Sequence, residues 1–573
     1  MNCHKNRIGS LAFEVVSIGF FSLYSAAFGQ NPTPKLSVTP AGVILSATKT
    51  QQFTVVTAGS AAIPVHWTIS PVVGTISPAG LYTAPAAIAS LQIVTVMATT
   101  TSGPALAASA RVLLAATPPS PPAPPPLLAT AELLAHAARY VKVITDEPFT
   151  WSPQRKACAA MTPGINTTPG VSFNGFSPWA PTSEWHTNVS GAPADPSSVK
   201  WINTIGGNQG IVLGATAPIA ATDNAGIGRY GMPFHIVAGN QPKVDVSYDL
   251  ASQPAIAAIS TESYPGYADP GPFPIPLPPA IQSTQGPGGA VNYMVPGDKH
   301  LFVVDKDNCF LHEFWNTFYY NGRIYAGMSA TFDLVGGDHQ RPWGWPSSSV
   351  SGVPQFAGMA RYDEVATGHI DHALAFTAAY QWGRAGFTGL AENHQWNNNN
   401  TPDLPPFGAK LRLKQGYDVS KLSPQTQIIL NTLKRYGAVY VDGGHPADMY
   451  YSTDNNWDWT AMGEIWHVLV NPDNFDFVQT GPIYSFFPGQ PPPPAGPAPK
   501  IDLLQAYPTT VKPGQPAIIY WSTTGESMRF LSTAGALRTN WAIVHPSVTT
   551  TYTLTAQNKD GRVTQSVVVS VQP

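Results

Sequence analysis

Two proline runs divide this chain. Residues 118–126 are nearly all proline, and residues 488–499 contain Pro491, Pro492, Pro493 and Pro494. Proline fixes φ and has no backbone N–H, so neither run can join a helix or a sheet ladder. Each is expected to be an extended, semi-rigid polyproline II spacer. Between them lies a central stretch, residues 127–487, with one module on either side. The chain has 573 residues, well beyond the roughly 250–300 at which a single core stops growing. Three bodies are therefore expected, with flanking modules that move independently of the centre.

Composition says what kind of bodies these are. Charged residues make up 11% of the chain, against roughly 25% in an average globular protein. Gly and Pro, at 50 and 58 residues, exceed their usual share. Turn-rich β domains fit this balance. The formal net charge is −3 and no basic run occurs, which argues against nucleic acid as a partner.

Residues 1–29 read as a secretory signal. Lys5 and Arg7 form the basic start, an apolar run passes through Phe20, Phe21 and Leu23, and Ala27-Phe28-Gly29 offers small residues for cleavage. A secreted or extracellular location follows as an expectation, and no later stretch is long and apolar enough to span a membrane. Cleavage would leave two cysteines, Cys158 and Cys309. One pair in an oxidising compartment points to a disulfide. Two separate buried thiols are the alternative.

The flanking modules read as β. In residues 35–116, short alternating segments such as Val94-Thr95-Val96-Met97-Ala98 lie between Gly, Pro and Ser turns, and Trp67 is a core candidate. Gly74-Thr75-Ile76-Ser77 and Gly80-Leu81-Tyr82-Thr83-Ala84-Pro85 resemble the bacterial immunoglobulin-like domains of exported surface proteins. In residues 500–573, the strand Thr549-Thr550-Thr551-Tyr552-Thr553-Leu554-Thr555-Ala556 resembles immunoglobulin-like repeats of the same kind. Such modules imply spacers or adhesion units, and neither carries a set of residues suited to chemistry.

The central domain opens with an Ala-rich helix expected over residues 127–144. Strands are expected at Phe234-His235-Ile236-Val237, at Val244-Asp245-Val246-Ser247-Tyr248 and at Leu301-Phe302-Val303-Val304. Ser423, Pro424 and Gly437 mark a second helix, as N-cap, first residue and stop. A strand, Ala438-Val439-Tyr440-Val441, should follow it. The expected fold class is mainly β and multidomain: two immunoglobulin-like β-sandwiches flank a large, jelly-roll-like β-sandwich with a few helices.

Acids, histidines and tryptophans of this charge-poor chain collect between Asp298 and Tyr380. Asp305-Lys306-Asp307-Asn308-Cys309, Glu313, Arg341-Pro342, Trp345, Arg361-Tyr362-Asp363-Glu364-Val365, Gly368, Ile370 and His372-Ala373-Leu374 resemble a family of exported bacterial proteins. The resemblance runs over residues 298–477. It implies a domain and a set of positions, and no reaction. His312 and His369 depart from the pattern.

A glycosidase needs two carboxyls, one protonated and one ionised, about 5–10 Å apart. Glu313 paired with Glu364 or Asp363 is the candidate, with Arg341 and Arg361 orienting substrate. The alternative is that these acids form ion pairs with those arginines. Residues 369–372 alternate as a strand would, setting His369 with Asp371 on one face. His372 on the other face is a core histidine, or a general base if that face lines a cleft. A metal would need His369, Asp371 and one of His186, His235 or His394. No coded metal spacing is present, and no metal or cofactor is expected. Asp305 to Asn308 lacks the glycine and distal glutamate of a calcium loop and reads as an Asx-stabilised turn.

Aromatic residues point to sugar. Trp315, Trp345, Trp396 and Trp457 sit in polar, turn-rich settings, where a flat ring can carry the apolar face of a sugar. Asp442-Gly443-Gly444 reads as a strand-end turn that adds a polar group. The expected function is a carbohydrate-active protein whose partner is a polysaccharide or surface glycan, with cleavage as the chemistry its paired carboxyls allow. The other reading is a non-enzymatic adhesion, lectin-like or structural protein. Opposed carboxyls in an aromatic cleft favour the first. Carboxylates locked onto arginines favour the second.

Overall fold

The computed structural model describes residues 36–572, apart from 58–63, 89–91, 103–104, 115–126, 144–152, 169, 206–208, 214–230, 285–290, 379–382, 396–398, 445–446, 455 and 459–462. The signal segment, the first proline spacer and Trp396 lie outside the described residues. The chain divides into two compact units, residues 1–124 and 125–573, and it is mainly β and multidomain.

The first unit is a small β module. Its largest sheet joins strands Gly42–Leu45, Ala107–Leu114, Gln92–Thr100 and Val65–Ser70. Alternate residues of Gln92–Thr100, namely Val94, Val96 and Ala98, are fully buried. They meet Phe53, Trp67 and Tyr82 in one core, as period-two alternation requires.

The second unit holds the central domain and the C-terminal module. The central domain is built on two sheets. Sheet A contains β1 (Phe234–Val237), β2 (Leu301–Asp305), β3 (Phe310–Trp315) and β4 (Met328–Asp333), in that order, with the short strand Gly164–Ile165 at its edge. β2 and β3 form a hairpin in which Phe302 faces Glu313. Its turn closes on Asp305, whose carboxylate accepts from Asn308 N at 3.0 Å and Asn308 Nδ2 at 2.8 Å. This is the Asx turn expected there.

After the short helix α1 (Tyr362–Thr367) come β5 (Leu374–Ala378), β6 (Lys410–Leu413), α2 (Pro424–Arg435), β7 (Ala438–Gly443), β8 (Asp448–Met449) and β9 (Phe475–Phe477). The strands form sheet B in the order β8-β5-β7-β6-β9, with Val212–Leu213 at the edge. β5 and β7 are parallel, where a jelly roll pairs its strands antiparallel. β6 and α2 lie between them in the chain; α2 joins β6 to its antiparallel neighbour β7, and the whole β6–α2 connection carries the chain from β5 to its parallel partner. Pro424 opens α2 after Ser423, and Gly437 follows it at φ +72°. α2 buries Ile429, Leu430 and Leu433 against the outer face of sheet B, with Leu374 and Tyr440 beneath them. Residues 369–372, expected as strand, are loop leading into β5.

The two sheets share a core. Phe302, Val304 and Leu311 of sheet A meet Ala375, Val439 and Val441 of sheet B. Leu311 and Glu313 lie on the same face of β3, so Glu313 points between the sheets as well. Cys158 and Cys309 join this core through a disulfide, with Cα atoms 5.8 Å apart.

The C-terminal module, Lys500 onwards, packs sheets of three and five strands around Trp521, Leu531 and Leu554. It does not move freely on its spacer. Arg538 Nη2 lies 2.7 Å from Asp333 Oδ1, and the guanidinium sits 3.9 Å above the Phe310 ring. Phe310 also shares a core with Met528 and Phe530. The helix expected to open the central domain, shortened to Leu127–Ala137, belongs here instead. Leu133 and Ala137 pack against Ile518 and Tyr520 of the C-terminal module. Its apolar stripe finds a sheet face that the module leaves uncovered. Among the described residues, no helix is long and apolar enough to cross a membrane.

Candidate functional site

A cavity of about 1010 Å³ opens at one end of the two-sheet core. That is at the upper end of ligand pockets, which run roughly 300–1,000 Å³. Parallel β5 and β7 deliver their carboxyl ends to it, through Thr377 and through Asp442, Gly443 and Gly444. Sites in open sheets with parallel strands form at such ends, where the loops diverge. Sheet A contributes Asp298 and His300 just before β2, Trp315 at the end of β3 and Met328 at the start of β4. The loop carrying Glu262, Tyr264 and Tyr267 makes another wall, with the Tyr264 and Trp315 rings stacked 6.0 Å apart. Ser348, Gln355, Asn393, His394, Asp448 and Tyr450 also line it.

Asp442 is the acid with the most altered proton affinity here. Burial, and then the Asp298 charge, push its carboxyl up to about 8. Three donors oppose that shift: Gly443 N at 2.7 Å, Val350 N at 3.4 Å and Gln355 Nε2 at 3.4 Å. At neutral pH the group carries a proton, as a general acid must. His300 is the reverse case, pushed down to about 4 by burial, and is neutral.

Glu313 does not line the cavity. Its side chain is fully buried behind the wall, where it accepts from Ser348 Oγ at 2.6 Å, Phe356 N at 2.9 Å and Gln355 N at 3.3 Å. Burial pushes it up to about 7 against those donors. Ser348 and Gln355 are lining residues, so Glu313 sets the wall rather than meeting a ligand.

The other expected catalytic groups lie elsewhere. Glu364 pairs with Arg361 Nη2 at 2.7 Å and with His372 Nε2 at 3.2 Å. Burial would raise its pKa, but Arg361 and His372 hold it below the usual carboxylate value. Asp363 accepts from Arg361 Nε at 3.3 Å and from Phe173 N at 3.0 Å. His372 Nδ1 meets the Ala373 carbonyl at 2.8 Å, so it is the satisfied core histidine. The Arg361 guanidinium lies 4.2 Å from the Phe173 ring and is 1% exposed. None of these four residues lines the cavity. Glu313 and Glu364 therefore do not form an opposed pair, and Arg361 is sealed from any ligand.

Arg341 is equally sealed. It is fully buried, 2.5 Å from Asp269 and 2.7 Å from the Tyr267 carbonyl. Trp345 packs between Tyr267, at 5.5 Å, and Arg562 of the C-terminal module, at 4.3 Å. Trp457 is a core residue that donates to the Ser452 carbonyl at 2.8 Å. Of the expected sugar platforms with described positions, Trp315 alone lines the cavity.

The histidines weighed for a metal are dispersed. His186 lies 2.8 Å from the Asp371 carbonyl, His235 Nε2 accepts from Ala280 N at 2.9 Å, and His369 pairs with Asp371 at 3.2 Å on the surface. Among the described residues, no three His, Cys, Asp or Glu side chains are grouped to hold a metal ion.

Glu262, Asp298, Tyr264, Tyr267 and Tyr450 were not singled out by sequence reasoning. Asp442-Gly443-Gly444, read in the sequence as a strand-end turn that adds a polar group, does line the cavity, at the strand end where parallel strands place their sites.

No protein-family model matches the chain, and no curated protein matches it. One solved structure, the N-terminal four Ig domains of Dscam1 isoform 1.9, aligns over 93% of this chain and 97% of that one, at 8% identity and a TM-score of 0.14. At that score the likeness supports no statement about fold or function.

Proposed function

We propose that the central domain binds a glycan in this cavity and hydrolyses it, on a chain exported from the cell. The observation that carries this reading is one cavity that combines stacked Trp315 and Tyr264 with the carboxyls of Asp298 and Asp442. The rings offer flat faces to sugar C–H groups, and the carboxyls take hydroxyls. Asp442 gives its proton to the glycosidic oxygen as the bond from that oxygen to the anomeric carbon breaks. Water adds to that carbon, and its proton passes to Asp298. Each event consumes one water and releases one reducing end. Glu313 has no direct part in these steps.

A lectin-like role is the second reading, and one observation favours it. The Glu364 carboxylate is locked onto Arg361, as in a domain that only binds. A glycan array on the whole chain, repeated with Trp315→Ala, tests the shared claim. Binding that weakens by about tenfold, the scale of one lost stacking contact of ~1.4 kcal/mol, supports it. No binding to any glycan by either protein rejects it.

A further inference from the structure

The cavity presents acceptors. Among the described residues, four carboxyl side chains line it, from Glu262, Asp298, Asp442 and Asp448, and no lysine or arginine does. The histidines among the described lining residues, His300 and His394, are both held towards the neutral form by burial.

Two amide oxygens extend the pattern. Gln355 is 1% exposed, and its amide nitrogen donates to Tyr450 OH at 3.0 Å and to Asp442 at 3.4 Å. Asn393 is 3% exposed, and its amide nitrogen donates to the Val350 carbonyl at 3.0 Å. A carbonyl can only accept, so the Asn393 amide has one orientation. Its Oδ1 and the Gln355 Oε1 are buried without a hydrogen-bond partner. Leaving such an atom unsatisfied costs about 1–3 kcal/mol. Both oxygens are closed to solvent, so a ligand donor reaches them only if these side chains shift.

We propose, resting on the glycan reading above, that this cavity selects a cationic glycan, one whose sugars carry free amino groups, over neutral and anionic glycans. A protonated amine is three donors and a positive charge. It complements the carboxyls and the faces of Trp315 and Tyr264, which attract cations. A uronate or sulfated chain brings negative charge into a cavity where no lysine or arginine among the described residues receives it.

The test is isothermal titration of the whole chain with five probes: a β-1,4-glucosamine tetramer with its amines protonated, its N-acetylated counterpart, a neutral glucose tetramer, a galacturonate tetramer, and the non-sugar polyamine spermidine. The glucosamine tetramer should bind at least about tenfold more tightly than the acetylated and neutral tetramers, the scale of one charge-assisted contact. Asp298→Asn and Asp448→Asn should each reduce that preference, and the galacturonate should not bind. Equal binding of the neutral tetramer, or binding of the galacturonate, overturns the charge preference and leaves the glycan reading standing. Binding of spermidine with no sugar bound keeps a cation site and removes the glycan reading. Binding of none of the five overturns both.

Discussion

Arg562 of the C-terminal module forms an ion pair with Asp269 of the central domain. Asp269 takes Arg341 on its other carboxylate oxygen, and both of those side chains are 0% exposed. Arg562 also donates to the Ala268 carbonyl at 3.0 Å, and Arg341 donates to Tyr267. The cavity wall bearing Tyr264 and Tyr267 is thus pinned from both sides. Replacing Asp269 by Asn leaves the buried Arg341 and the partly exposed Arg562 without their counter-charge. Loss of one partner of a buried pair costs about 3–5 kcal/mol. Urea unfolding of Asp269→Asn should show a loss of that size, and Arg562→Ala a smaller one, because Arg562 is partly exposed.

Glu313 makes stability depend on pH. Its folded value, about 7, lies above its ordinary value of 4.5. Between those two the folded chain holds a proton that the unfolded chain releases. Stability from this group is therefore fully present below 4.5 and is lost as pH rises towards 7. The loss is about 3 kcal/mol by linkage. Glu313→Gln cannot ionise, so its unfolding free energy should be flatter than that of the wild type across this window. Denaturation at several pH values measures the slope. An unchanged slope would mean that Glu313 is not the group responsible.

Glu364 behaves in the opposite sense. Arg361 and His372 hold its carboxyl below the ordinary value. Its contribution is present at neutral pH and is lost as pH falls through the folded value. Glu364→Gln removes the charge facing the buried Arg361 and should cost about 3 kcal/mol. Glycan binding and product release by the folded variant should match the wild type. A tenfold loss of either would place Glu364 in the site after all.

What could be read in the sequence was what nearby residues decide. Phe234–Val237 and Leu301–Asp305 are short, largely apolar runs buried on both faces, and Pro424 and Gly437 bracket α2, with Ser423 at the N-cap position but without a side-chain cap bond. The cavity was not legible because it joins residues far apart in the chain. Glu262 and Tyr264 meet Asp442 and Tyr450 there through pairing and crossover alone. Glu313 attracted notice as an acid in a charge-poor domain. Its surroundings, the donors Ser348, Gln355 and Phe356, lie more than thirty residues on and carry no pattern of their own. The glutamate–arginine pairing at Glu364 and Arg361 was visible as an alternative, since i and i+3 meet on one helical turn. The docking of the C-terminal module was hidden, because the proline spacer suggested freedom where Arg538 and Arg562 impose contact.

The disulfide closes a loop with a sequence separation of 151 residues. Chain-entropy arguments give about 5 kcal/mol for a loop of that length. Cys158→Ser with Cys309→Ser should lower the unfolding midpoint accordingly, and reductant should have the same effect on the wild type and none on the double variant.

The most direct test of the central claim is release of reducing ends from a panel of polysaccharides, with binding recorded in parallel, for wild type, Asp442→Asn and Glu364→Gln. The account predicts product from wild type and Glu364→Gln, and binding without product from Asp442→Asn. Wild-type product should also decline as pH rises through about 8, where Asp442 loses its proton. Product from Asp442→Asn at the wild-type rate, or loss of product in Glu364→Gln alone, would contradict it.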